Sequence, residues 1–132
     1  MCGILGWCNF QDKRDIENLR RASKFIKSRG PDAIGEFIGN EISFIHTRLS
    51  IIDINNRSDQ PLKNYMSGNI ISFNGEIYNY KLLRKDLENN FKVKFKTMSD
   101  TEVILMGYEI YGIDSLLSKL DGMFAFAIWD NL

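Results

Sequence analysis

The sequence predicts an α+β fold built of sheet and helix layers, and three observations predict it. Short apolar runs of strand length occur at both ends and in the middle. Stretches of helical period separate them. The last run, residues 123–129, is apolar on both alternating faces, as expected of a strand held between a second sheet and a helical layer. The chain's 132 residues, 44% hydrophobic and 12% aromatic, suit one domain with its own core.

Residues 3–9 read as a first buried strand, bounded by the polar Gln11-Asp12-Lys13. The period then changes. Ile16, Leu19, Ala22 and Ile26 recur at three and four with Arg20, Arg21, Lys24 and Lys27 between them, an amphipathic helix laid on a core. Ser28-Arg29-Gly30-Pro31-Asp32 stops it, because proline lacks a donor and pushes the preceding residue out of helical space. β-rich segments follow at residues 36–38, 41–47 and 49–54, and residues 55–60 lead as a polar loop into Pro61. Within residues 69–78, two short β-like runs flank Asn74-Gly75, the commonest short hairpin signal.

Asn79 is placed to cap a helix with Tyr80, Leu83 and Leu87 on one face, and residues 91–96 alternate as a half-exposed strand. Ser99-Asp100-Thr101-Glu102 is a capping box, with Ser99 bonding forward and Glu102 back. Its helix turns Val103, Met106 or Gly107, and Ile110 inward and ends at Gly112. Leu116, Leu117 and Leu120 make a short last helix. The final strand runs into Trp129-Asp130-Asn131-Leu132, the first half of a hairpin turn. A buried strand needs partners on both edges, so the chain is expected to be the front part of a longer domain. The competing reading is a terminal strand that closes a compact domain.

Lys+Arg and Asp+Glu both number 17, which removes the electrostatic case for nucleic acid or an anionic membrane surface. No run approaches the ~18 apolar residues of a membrane span, and the first residues lack a signal-peptide pattern, so a cytoplasmic location is expected. Cys2 and Cys8 lie too close in sequence for a disulfide to stabilise much. With His46 they match no zinc-ligand spacing, so no metal site is expected.

Five features can carry chemistry. Removing the initiator Met1 leaves Cys2 with a thiol and a free α-amine, and an amine titrating at about 7.7 to 8.0 can take the thiol proton near neutral pH. The structural alternative makes Cys2 a small buried hydrophobe. Asn74-Gly75 is a turn or an oxyanion hole, in which the Asn74 amide and the Gly75 N–H stabilise charge on a carbonyl oxygen. Arg48 sits in an apolar, strand-like setting and needs an anion, either a protein carboxylate or a substrate carboxylate held bidentately. His46 is the base of a Cys-His hydrolase or a satisfied structural histidine. Asp100 is favoured at a helix start by the macrodipole and gains a further role only beside a cation such as a substrate ammonium.

Met1-Cys2-Gly3-Ile4, Arg29-Gly30-Pro31-Asp32, the run from His46 through Arg48-Leu49-Ser50-Ile51-Ile52-Asp53, Asn74-Gly75-Glu76-Ile77-Tyr78-Asn79, Ser99-Asp100-Thr101-Glu102-Val103 and Asp121-Gly122-Met123-Phe124-Ala125-Phe126-Ala127 occur in a fixed order. In that order and spacing the chain resembles the class II glutamine amidotransferase domain of glutamine-hydrolysing asparagine synthetases. The resemblance covers essentially the whole chain. It implies an N-terminal-nucleophile (Ntn) hydrolase fold, an αββα four-layer sandwich with two antiparallel sheets, truncated at its C-terminus. It implies a glutaminase half-reaction in which Cys2 is the nucleophile and Asn74 and Gly75 form the oxyanion hole. Arg48 holds the glutamine α-carboxylate, Glu76 and Asp100 meet its α-ammonium, and Leu49, Ser50, Ile51 and Ile52 line the substrate.

On the same resemblance, residues 1–132 are an incomplete glutaminase domain whose ATP-dependent synthetase domain is absent. ATP and magnesium belong to that absent domain, and no cofactor is expected in this chain. L-glutamine and the synthetase domain are the expected partners, and a homodimer is a compatible assembly. Two alternatives stand beside this reading: a catalytically incomplete fragment or interaction module, and an amidotransferase for a different carboxylate acceptor.

Overall fold

The computed structural model describes residues 1–8 and 13–131. In chain order its elements are β1 (Gly3–Cys8), α1 (Lys13–Ile26), β2 (Ala33–Ile38), β3 (Ile42–Arg48), β4 (Leu62–Lys63), β5 (Ile70–Ile77), α2 (Tyr80–Phe91), α3 (Asp100–Tyr111), α4 (Ile113–Leu117) and β6 (Gly122–Trp129). Two antiparallel three-stranded sheets result, ordered β1-β3-β2 and β4-β5-β6. Helix α1 lies on β1 and β3, α3 lies on β5 and packs with α2, and β5 meets β1 and β3 across the gap between the sheets. The layering is α, β, β, α, as the family resemblance implies.

Period-two alternation along β5 divides the core. Ile70 turns toward the first sheet and packs with Ile42 and Phe44, while Ala127 and Trp129 of β6 close the same cluster. Ile71, Phe73 and Ile77 turn the other way, onto Leu83, Leu87, Val103, Ile104 and Leu105. Phe124, Phe126 and Ile128 join this second cluster, so β6 is apolar on both faces because each face meets a different layer. Burying a side chain such as Leu87 or Ile104, both at 0% exposure, contributes about 1.5–3 kcal/mol.

Several local expectations give way to tertiary contacts. Strand β1 is an edge strand, exposed from Gly6 to Cys8 rather than buried. Asn9 and the polar stop at Gln11 and Asp12 fall outside the described residues, as does Leu132 of the expected closing turn. Residues 49–54 are irregular, not a strand, because their backbone groups serve side chains: Leu49 N meets Cys2 Sγ, Ser50 N meets Asp32, and the Ile52 and Asp53 carbonyls meet Arg48. Asn74-Gly75 is no hairpin turn. It lies inside β5, which β6 opposes without a break from Ile70↔Trp129 to Ile77↔Gly122.

Residues 92–96 form no strand. Helix α2 runs through Phe91, Lys92 closes it in the left-handed region, and Lys96 N is taken by the Glu102 carboxylate. That contact also leaves the capping box half made. Ser99 Oγ accepts from Glu102 N, but Glu102 reaches back to Lys96 and Thr97 and not to Ser99. Asn79 caps nothing with its side chain, which instead bridges Lys119 O and Asp121 N. Ile110 and Leu117 are exposed. The inward face of α3 is Val103, Ile104, Leu105 and Gly107, because α4 and β5 flank it on two sides.

Candidate active site

Strand β5 has two edges. β6 fills one; the other faces β4, which spans two residues and stops after covering Ile70 and Ile71. Beyond that point side chains complete the edge. Phe73 N donates to Gln60 Oε1 at 2.6 Å, and Phe73 O accepts from His46 Nε2 at 3.0 Å. Ile77 N donates to Asp100 Oδ2 at 3.2 Å. Residues two apart in a strand point their N–H groups off the same edge, so the Gly75 N–H lies between two filled positions. Gly75 lines a cavity of about 230 Å³ that Cys2, Arg48, Leu49, Ile51, Ile52, Asn74, Glu76 and Asp100 also line.

Gly75 is required here. Its φ is +148°, and a Cβ would lie 2.2 Å from Met123 O. Asn74 shares the face of Ile70, toward the first sheet. Its Oδ1 is enclosed without a hydrogen-bond partner, and its Nδ2 donates to no described residue. A donor side chain and a strand N–H thus occupy adjacent residues at one cavity wall.

Cys2 stands opposite, just before β1, half-buried. Its Sγ lies 3.4 Å from Leu49 N and 3.7 Å from Leu49 O. The Arg29-Gly30-Pro31-Asp32 segment fixes this corner. Arg29 Nε donates to Cys2 O at 3.0 Å, and Asp32 takes Ser50 N on its carboxylate while its own N donates to Arg48 O. Gly30 passes so close to Thr47 that a Cβ would sit 2.2 Å from the Thr47 carbonyl.

Arg48 has found its anion inside the protein. Nη1 donates to Asp59 Oδ1 at 2.6 Å and to Asn55 O at 3.0 Å, and Nη2 donates to the carbonyls of Ile52 and Asp53. Of the two alternatives, the protein carboxylate is the one observed, and all four Nη hydrogens are engaged. Ser50 does not line the cavity and gives its N to Asp32, whereas Ile51 lines it and is 70% exposed.

Asp100, at 4% exposure, has its carboxyl pushed up by burial and by nearby Glu76, against hydrogen bonds from Ile77 N and Thr101 N. Neither Asp100 nor Glu76 forms an ion pair with a cation among the described residues. Both carboxyl groups line the cavity without a cationic partner of their own among the described residues. His46 is fully buried and does not line the cavity. A carbonyl only accepts, so Nε2 carries the ring proton toward Phe73 O, and the Cys2–His46 pairing is not formed. Burial lowers the His46 pKa and keeps the ring neutral. Among the described residues, no three His, Cys, Asp or Glu groups come together as metal ligands.

A family model described as a glutamine amidotransferase domain matches residues 1–132. The chain belongs to that family. This glutamine amidotransferase domain is 43% identical over 135 residues to asparagine synthetase [glutamine-hydrolyzing] 1 of Bacillus subtilis (strain 168), covering 99% of the chain and 21% of that protein. Asparagine synthetase [glutamine-hydrolyzing] 1 of Arabidopsis thaliana is 40% identical, covering 99% of the chain and 22% of the relative. Asparagine synthetase B [glutamine-hydrolyzing] of Escherichia coli (strain K12) is 39% identical, covering 99% and 23%. The chain thus spans about a fifth of the length of these curated relatives. Among solved structures it is similar to the glutamine phosphoribosylpyrophosphate amidotransferase from B. subtilis, complexed with ADP and GMP. The TM-score is 0.54 at 28% identity, over 67% of this chain and 21% of that one. The fold is that of the Ntn hydrolases.

Three residues at or beside the cavity were given no site role by the sequence. Gln60 sits at the end of a polar loop, and Thr101 is half explained by a helix start. Asp53 gathers Ser58 Oγ, Arg57 Nε and Met98 N on one carboxylate oxygen and so ties the loop under Arg48 to the entry of α3. Only the apolar setting of Arg48 hinted that a partner such as Asp59 was needed.

Proposed function

We propose that this domain hydrolyses L-glutamine to L-glutamate and ammonia with Cys2 as nucleophile. The observation that carries the reading is the unfilled Gly75 N–H beside the uncommitted Asn74 amide, both lining the cavity that holds the Cys2 thiol. With Met1 in place the Cys2 nitrogen is a peptide nitrogen and cannot act as a base. Removal of Met1 frees an α-amine that takes the thiol proton. The thiolate then bonds to the side-chain carbonyl carbon of glutamine, and the oxygen becomes an oxyanion between Asn74 Nδ2 and the Gly75 N–H. Collapse of this intermediate breaks the C–N bond, and the proton held on the α-amine leaves with the nitrogen as ammonia. Water attacks the γ-glutamyl thioester, the C–S bond breaks, and glutamate departs with the thiol restored.

Asp100 and Glu76 take the substrate α-ammonium, the missing cation between them. The α-carboxylate is received at Arg48 by displacing Asp59, whose side chain is 39% exposed, and Ile51 lines the same cavity. A cavity of about 230 Å³ lies just below the drug-sized range of roughly 300–1,000 Å³, consistent with one amino acid. The hydrolysis as written draws on this chain's own groups without a cofactor. The relatives' printed activity supports a supply of ammonia for asparagine synthesis by a synthetase region of the same polypeptide, where ATP and magnesium belong. A cytoplasmic location accords with that role. No helix among the described residues is long and apolar enough to cross a membrane.

The test is glutamate release from glutamine, measured with the N-terminus defined by mass spectrometry. Protein that starts at Cys2 is expected to release glutamate, while protein that retains Met1, or carries Cys2→Ala, is expected to release none. Equal activity with and without Met1 would refute the terminal-amine mechanism.

A further inference from the structure

We infer that Gln60 is a positioning residue for the oxyanion pair, a role that rests on the glutaminase reading above. Its side chain is 6% exposed and lies at the cavity wall. One end of its amide, Oε1, accepts from Phe73 N at 2.6 Å; the other, Nε2, donates to Thr101 Oγ1 at 3.2 Å. A backbone N–H only donates, so the amide has a single allowed orientation.

The two partners matter through their neighbours. Phe73 directly precedes Asn74, and Thr101 directly follows Asp100. One side-chain amide therefore joins the peptide that aims the oxyanion donors to the helix start that carries the ammonium-binding carboxylate. The backbone of Gln60 is itself wedged in place. A Cβ on Gly35 of β2 would fall 2.0 Å from Gln60 O, so the strand and this carbonyl are in close contact. Gln60 touches both sheets and α3 at once.

β4 offers Phe73 no backbone partner, and without Gln60 its N–H faces an open edge. The strand is then free to tilt by a few tenths of an ångström at the residue before Asn74. Oxyanion donors lose effect with small displacements, because they must meet an oxygen that is charged only in the transition state. Substrate binding through Asp100, Glu76 and Arg48 involves no developing charge and is less sensitive to such a tilt. Gln60 thus acts on turnover more than on affinity.

The experiment compares wild type, Gln60→Met, Thr101→Val and Thr101→Ser in the purified protein with free Cys2. Methionine keeps the length and bulk of glutamine and removes both bonds. Turnover of glutamine is read as kcat and KM. Affinity is read for glutamate and for the γ-aldehyde analogue of glutamine, to which a thiolate adds reversibly to place an oxyanion in the hole. Gln60→Met is expected to lower kcat by about 10- to 100-fold, less than the loss of an oxyanion donor outright, with KM within about 3-fold. Aldehyde affinity is expected to fall in step with kcat while glutamate affinity holds. Thr101→Val is expected to lower kcat in the same direction by a smaller factor, and Thr101→Ser to restore it.

Unchanged kcat in Gln60→Met, or equal losses of glutamate and aldehyde affinity, would overturn the inference. If Gln60→Met does not fold, equal kcat for Thr101→Val and Thr101→Ser would overturn it as well. Wild type that neither hydrolyses glutamine nor binds the aldehyde refutes the glutaminase reading itself, a result distinct from all of these.

Discussion

Replacing Asp53 by asparagine tests how the loop beneath Arg48 is held. Asp53 has φ +46°, a region that both Asp and Asn tolerate, so the substitution leaves the backbone free of new strain and removes only charge. Burial raises the carboxyl pKa, but bonds from Met98 N at 2.7 Å, Ser58 Oγ at 2.8 Å and Arg57 at 3.2 Å outweigh it and hold the group down from 3.8 to about 2. The side chain is 6% exposed, so solvent screens these bonds little. A carboxyl depressed in the folded state stabilises the protein above its unfolded pKa, because the unfolded chain takes the proton first as pH falls. The shift is worth about 2 kcal/mol, complete above about pH 5, with about 1 kcal/mol of it gone at pH 3.

Urea unfolding of wild type and Asp53→Asn at a series of pH values should therefore show a gap of about 2 kcal/mol at pH 6 that narrows by about half at pH 3. Since the same carboxylate joins the loop bearing Ile51 and Ile52 to Met98, KM for glutamine should rise in the variant. A stability gap that stays constant from pH 6 to pH 3 would refute the assignment of the stabilisation to the ionised carboxylate.

Gly75→Ala should lower thermal stability by about 1–3 kcal/mol through its forced φ and abolish glutamate release, while Cys2 still reacts with a small alkylating reagent. Loss of thiol reactivity in step with activity would point to global collapse. His46 has a pKa lowered chiefly by burial, so the unfolded chain gains its proton first as pH falls. The stability His46 lends is present above about pH 6.5 and lost below it, and His46→Gln should flatten that part of the melting-temperature profile without changing the alkylation rate of Cys2.

Much of the layering was legible because it depends on apolar period. The alternation of residues 70–77 and 123–129 specifies two-faced strands, and the three-and-four spacing of α1 specifies a helix on a sheet. The errors fall where a side chain or a strand partner claims a backbone group that the local pattern assigns elsewhere. Residues 49–54 carry β-branched residues at strand spacing, yet their carbonyls turn to a single guanidinium. Residues 92–96 alternate, but Glu102 takes Lys96 N before any strand partner does. Asn74-Gly75 carries the local chemistry of a turn, and the register with β6 overrides it because strand pairing satisfies eight residues where a turn satisfies four.

The cavity depends on where β4 ends. β4 pairs Leu62 with Ile71, and continuing this register backward sets Gln60 opposite Phe73 and Ser58 opposite Gly75. β4 nevertheless begins only at Leu62, and the backbone leaves the edge at Pro61. Gln60 then returns to Phe73 by its side chain, at the position its own carbonyl would have filled. Ser58 does not return to Gly75; its hydroxyl goes to Asp53. The edge beyond β4 is thus a row where one N–H is answered by an amide, one by a carboxylate, and the one between them opens on the cavity that Cys2 also lines. Because 58, 60 and 62 are the positions whose backbone would face β5 in this register, it is the departure of Ser58 and Gln60 from the edge that leaves the Gly75 donor free.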